Sequence, residues 1–227
     1  MQETKDNINM VTFIRSDSSL NHNHSSPGAT VSDLPPGAKL KGNPPSLDCP
    51  ISNLNRFKQH IMDYKKNLRH YLLTSRFSTK TWCENENYRS TRENMKCIYC
   101  SPGPISCNIP NDSIMFILEM NNDTNKIIGI GMVRNHPILN KYSVYSEGNY
   151  NRYVFVGKNR IDRNQMCEEE ERIMKVFDIL CFTGNKHMKR GQGLKLFPIE
   201  MLYRCSERLD LVEFICVMFK NRIINVK

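Results

Sequence analysis

Apolar residues at spacings of three and four open the ordered part of the chain. Leu54, Phe57, Ile61, Tyr64, Leu68 and Tyr71 fall on one helical face. The pattern predicts a helix from about Ile51 with Ser52 as its N-cap, and Arg56, Lys58, Lys65, Lys66 and Arg69 take the other faces. The period changes further along. Ile114–Met120 is an apolar, strand-like run, Asn122-Asp123-Thr124-Asn125-Lys126 carries turn chemistry, and Ile127–Val133 returns. Residues 114–134 therefore predict a β-hairpin, and Gly129 and Gly131 mark a bulge or a close approach within it. Strand-like material follows at Tyr142–Tyr145 and Tyr153–Val156, with Gly148-Asn149 between. A helix is predicted from Glu168 to Phe182, with Ile173, Val176, Phe177, Leu180 and Cys181 as its apolar stripe. Its four leading glutamates suit the positive end of a helix dipole, a structural role rather than a metal site. A further helix near Ile199–Leu209 and an apolar segment, Leu211–Phe219, close the pattern.

Residues 1–50 lack such periodicity. Ser16 to Pro50 is rich in Ser, Asn, Pro and Gly, and buries too little apolar surface to offset its ordering entropy. It reads as a disordered low-complexity arm, followed by a single α+β domain over 51–227. Within the arm, Met10–Ile14 is a candidate strand or protein-partner motif, and His22 and His24 read as solvated.

Charge sharpens this division. The 227 residues carry a formal charge of +9, but residues 51–227 hold 28 basic and 18 acidic side chains, a net of +10. A basic folded part attracts polyanions over long range. No apolar h-region follows the polar start and no run reaches the roughly 20 apolar residues of a membrane span. The expectation is an intracellular protein with no membrane partner. Its nine cysteines are then expected to be reduced or metal-bound rather than paired.

Four constellations carry candidate chemistry. The first is Gly184-Asn185-Lys186-His187-Met188-Lys189-Arg190-Gly191-Gln192-Gly193. Lys186, Lys189 and Arg190 are phosphate donors, His187 a donor or base, and the glycines allow close backbone approach. The loop lacks the residue order of a P-loop. The second is Tyr145–Tyr153, where Tyr150 and Tyr153 offer stacking faces, Asn151 a base-edge reader and Arg152 a cation; Lys158, Arg160 and Arg163 extend the basic character. The third is Trp82, the sole tryptophan, as one wall of a base pocket or as a core aromatic. The fourth is Cys97-x-x-Cys100 with Cys83 and Cys107, four thiols that would complete a tetrahedral zinc site, although their spacing matches no standard finger. No Ser-His-Asp or Cys-His arrangement supports nucleophilic catalysis.

Trp82 ahead of strands, the hairpin Ile117-Leu118-Glu119-Met120-Asn121…Ile128-Gly129-Ile130-Gly131-Met132 and a later basic segment resemble the PUA-like superfamily, which includes YTH, ASCH and EVE domains. The resemblance covers roughly residues 75–200. It implies a small β-barrel with flanking helices that binds RNA or modified bases, with Trp82 and Asn121 as pocket candidates and the basic loop as a backbone clamp. The aromatic cage of YTH domains is not completed by this sequence. The Asn/Ile-rich style also resembles proteins of large DNA viruses. A second resemblance, of Arg190-Gly191-Gln192-Gly193-Leu194 to the pyrophosphate loop of GNAT acetyltransferases, implies an enzyme binding acetyl-CoA. Against it, the segment before the loop reads as a helix and Pro198 interrupts the one after. The leading expectation is a non-catalytic RNA- or DNA-binding protein. The alternatives are the acetyltransferase and a protein-interaction factor acting through residues 1–50.

Overall fold

The computed structural model describes residues 50–139 and 141–224. The arm, its Met10–Ile14 motif and His22 and His24 lie outside the described residues. The first helix, α1, runs from Pro50 to Asn67. Proline suits its first turn, where no intrahelical donor is needed, and Ser52 lies inside the helix rather than capping it. Phe57, Ile61 and Tyr64 form the half-buried stripe that the spacing predicts. The same spacing overruns the helix end, since Tyr71 opens strand β1, Tyr71–Phe77.

The remaining elements are α2 (Thr79–Ser90), β2 (Cys97–Ser101), β3 (Ile114–Asn121), β4 (Lys126–Arg134) and β5 (Ile138–Leu139). They continue with β6 (Tyr153–Gly157), β7 (Asn159–Asp162), α3 (Glu168–Phe182), β8 (Lys195–Leu196), α4 (Ile199–Ser206) and α5 (Leu211–Ile224). Five strands pair in the order β7-β4-β3-β1-β8, and three in the order β2-β6-β5. β1 runs parallel to β3; the other pairs are antiparallel.

β3 occupies the centre of the larger sheet, and both its faces are buried. This is why it reads as a continuous apolar run rather than an alternation. Phe116, Leu118 and Met120 join a core with α3, α4 and α5. Met115 and Ile117 join a second core with the smaller sheet, containing Ile98, Tyr99, Val154 and Phe155. The result is three layers: helices, large sheet, small sheet with α2. The α+β class is thus as expected, but the barrel is not closed among the described residues. The chain turns at Lys158 and passes from β6 in one sheet to β7 in the other, and no ladder joins the free edges.

The hairpin over 114–134 forms as the pattern predicts, with a register irregularity between Glu119 and Met120. The close approach at its glycines is made by the protein's own side chains. A Cβ on Gly131 would lie 1.9 Å from the Tyr99 hydroxyl, and one on Gly129 would lie 2.6 Å from Glu119 Oε2. These glycines leave room for a buried polar cluster between the sheets. Tyr99 donates to Glu119 Oε1 at 2.6 Å, and Arg160 Nη2 donates to Glu119 Oε2 at 2.7 Å. Burial pulls the Arg160 guanidinium down, but the Glu119 carboxylate outweighs it and holds the group above its ordinary value.

The segment Tyr142–Tyr145 is not a strand. Asn151 takes its backbone instead, accepting from Val144 N and Tyr145 N on Oδ1 at 2.9 and 3.0 Å and donating to Tyr145 O at 2.8 Å. The acidic start of α3 is structural, as expected. Glu170 accepts from Cys167 N and from Arg222, and Glu171 from Arg163. Among the described residues no helix is long and apolar enough to cross a membrane.

Candidate functional site

A cleft of about 400 Å³ opens where the ends of β1 and β3, the start of α2, the 145–150 segment and the glycine loop meet. Each wall has a local cause. Ser78 caps α2: its hydroxyl accepts from Thr81 N, and Thr81 Oγ1 accepts from Ser78 N at 2.9 Å. Asp123, from the β3–β4 turn, accepts from Thr79 N at 2.7 Å and Thr79 Oγ1 at 2.8 Å, so turn and helix are joined. The Thr79 backbone N–H and hydroxyl together hold the Asp123 carboxyl below its ordinary value. On the far side, Glu84 Oε1 accepts from Ser146 Oγ at 2.8 Å and ties α2 to the tyrosine segment.

The glycine loop is held from beneath. Arg76, near the end of β1, donates from Nε to Met188 O and from Nη1 to Gly193 O at 3.5 Å. Asn122 donates to Lys189 O at 3.2 Å. Gly193 adopts φ +63°, and a Cβ there would stand 2.3 Å from Ser101 Oγ. Glycine is therefore required twice over, by conformation and by space. Gly191, Gln192 and Gly193 all line the cleft.

Of the residues singled out in the sequence, Tyr150 lines the cleft, with its ring edge-on to Tyr145 at 6.3 Å. Lys189 and Arg190 lie just before the lining glycines. Lys189 Nζ donates to Asn125 Oδ1 at 2.8 Å, Arg190 and Lys186 are exposed, and the His187 Nδ1 accepts from Lys189 N at 3.4 Å within the loop. Arg152 is exposed, while Tyr153 is half-buried in β6 beside the second core.

Others have structural duties. Asn151 is buried and committed to the loop bonds given above, so its amide does not face the cleft as a base reader. Asn121 Oδ1 accepts from Asp123 N and Thr124 N at 3.0 and 3.2 Å, shaping the hairpin turn. Trp82 packs on Phe77 at 5.2 Å, and the guanidinium groups of Arg89 and Arg160 each lie 5.1 Å from its ring. Arg160 and Arg163 are engaged by Glu119 and Asp162, and by Glu171 and Asp178, so they extend no free basic surface.

The four cysteines do not assemble. Cys97 and Cys100 are buried on β2, and their spacing of three sends them to opposite faces; Cys83 and Cys107 are exposed. Burial pushes the Cys97 and Cys100 thiols up to about 12, the inert form. Among the described residues, the one grouping of three metal-ligand side chains is His70, Glu213 and Cys216.

Sequence reasoning missed Arg76, Ser78 and Asn122 in the cleft wall, whereas Tyr145, which opens the tyrosine segment, does line it. Asn122 Oδ1 is buried with no hydrogen-bond partner among the described residues. The spacing Ser78-x-x-Thr81 was a legible capping signal. Arg76 had none, because β1 was hidden beneath a helical period. Comparison with family models, with curated proteins and with solved structures yields no match.

Proposed function

We propose that this chain is a non-catalytic nucleic-acid-binding protein, for RNA or DNA, that takes one unpaired nucleotide into the cleft. The observation that carries the reading is the convergence of Gly191–Gly193, Tyr150, Tyr145 and the start of α2 on one cavity of about 400 Å³. That volume suits a single small ligand and not a duplex. The base lies against Tyr150, whose ring is sequence-tolerant as a stacking face. Its polar edge meets Ser75, Ser78 and Asn122. The flanking phosphates meet Lys186, Lys189 and Arg190 on the loop rim, with Lys80 across the opening. The two-sheet core with flanking helices supports a PUA-like arrangement for the fold, in an open rather than closed form.

The acetyltransferase reading has less support. Its pyrophosphate loop needs a strand before it and a helix after it, and here the loop runs from α3 to the two-residue strand β8.

The test is fluorescence anisotropy with single-stranded RNA, single-stranded DNA and duplex DNA across a salt series. A single-stranded probe is expected to bind, with log affinity falling linearly in log salt. Tyr150→Ala is expected to weaken binding without changing that slope. Lys186/Lys189/Arg190→Ala is expected to make the slope shallower by up to about 3, one per lost phosphate contact. Absence of binding to every probe at low salt overturns the proposal. Thermal stabilisation by acetyl-CoA in that case favours the enzyme.

A further inference from the structure

We infer that His70, Glu213 and Cys216 form a site for a divalent transition metal of the zinc class, away from the cleft and independent of the nucleic-acid reading. Their ligand atoms, one nitrogen, one carboxylate oxygen and one sulfur, lie within 4.8 Å of one another. The residues come from two elements. Glu213 and Cys216 stand three apart on α5, hence on one helix face. His70 lies in the short connection between α1 and β1. Its ring sits on Phe116 at 5.7 Å, and Phe116 stacks on Phe219 of α5 at 5.3 Å, so a layered aromatic seat fixes the imidazole against the helix.

A cation already occupies this corner. Lys220 donates to Glu213 Oε1 at 3.3 Å, one turn of α5 from Cys216. Its side chain is 58% exposed, so the ammonium swings into water at little cost. The exchange balances in charge. A carboxylate, a neutral thiol and an ammonium become a carboxylate, a thiolate and a divalent ion; the thiol proton leaves to solvent and Lys220 moves out. Tetrahedral zinc has bonds of about 2.0–2.3 Å, which place its ligands roughly 3.3–3.8 Å apart. Side-chain rotations of the exposed Glu213 and of the partly exposed His70 supply the contraction. A sulfur, nitrogen and oxygen set selects zinc or cobalt over magnesium or calcium, and a water completes the fourth position. Bound there, the metal clamps α5 to the segment that enters β1.

Titration of the full-length protein with Co²⁺ tests this, read by the thiolate-to-cobalt charge-transfer absorption and by displacement with Zn²⁺. The expected result is a saturable band at one equivalent that persists in a Cys83→Ser/Cys107→Ser control. It disappears in Cys216→Ser and weakens in affinity in His70→Ala. In Lys220→Met it should tighten on the order of tenfold, because the competing ammonium beside the ligands is gone. Thermal unfolding without metal establishes that each variant is folded, and Glu213→Gln, at an exposed position, serves as a second ligand deletion. No band in the wild type, or a band unchanged in Cys216→Ser, overturns the inference.

Discussion

Replacing Glu119 by leucine should cost about 3–5 kcal/mol of folding stability, because it strands a buried arginine. The Glu119 and Arg160 side chains are 1% and 3% exposed. Arg160 donates three hydrogen bonds to the carboxylate, at 2.9, 3.1 and 2.7 Å, and Tyr99 a fourth at 2.6 Å. The substitution leaves Tyr99 without that acceptor and Arg160 with Asp162, whose side chain is 44% exposed, as its one remaining carboxylate partner among the described residues. Losing the tyrosine bond alone accounts for about 1 kcal/mol, so Tyr99→Phe should be mild and the larger part must come from the charge. A domain of this kind is stable by about 5–15 kcal/mol, so the effect is visible in any unfolding curve. The assay is urea denaturation followed by Trp82 fluorescence; the indole lies 5.1 Å from the Arg160 guanidinium and reports on this region. Glu119→Leu/Arg160→Met removes both charges and should recover most of the loss. A single-variant loss under about 1 kcal/mol, the range of exposed ion pairs, would refute the reasoning. So would a double variant no more stable than Glu119→Leu.

Three further outcomes are expected. Gly193→Ala meets both a φ of +63° and Ser101 Oγ at 2.3 Å, so it should destabilise by about 1–3 kcal/mol and reduce nucleic-acid affinity through the loop, measured by melting and anisotropy together. Asn151→Ala removes three backbone bonds at once and should lower stability by about 2–3 kcal/mol, whereas Arg152→Ala beside it should leave the melting temperature unchanged. Arg222 and Arg163 hold the Glu170 and Glu171 carboxyls below their ordinary value of 4.5. The stabilisation from these carboxyls is therefore complete above pH 4.5 and is lost as pH falls through the lower folded values. Arg222→Met should flatten this acid limb by up to about 1 kcal/mol in urea midpoints taken across pH, since the pair is partly exposed. Burial moves Asp178 the opposite way, raising its carboxyl, so its own contribution fades as pH rises.

Elements that bury a single face, or that carry their own end signals, were legible in the sequence alone. The hairpin over 114–134 has a turn between two apolar runs. The helix Glu168–Phe182 has glutamates where the dipole favours them and a stripe at the right period. These signals are local, so they survive without knowledge of the fold. The glycine loop was legible as an irregular, glycine-dependent segment for the same reason, and its Gly191–Gly193 end lines the cleft. Strand β1 was not, because Leu68 and Tyr71 continue the helical period past Asn67, where α1 ends. Short-range spacing cannot register that Leu72, Leu73 and Thr74 are needed between β3 and β8. Only the tertiary structure decided which polar residues were free. Asn121, Asn151, Trp82 and Arg160 have the residue types of a binding site, yet each is taken up by a turn, a loop stitch, a pair of arginine contacts or a buried ion pair. Arg76 and Asn122, unremarkable in the sequence, hold the loop from below. Residue type sets what a side chain is able to bond, whereas long-range packing sets which partner reaches it first.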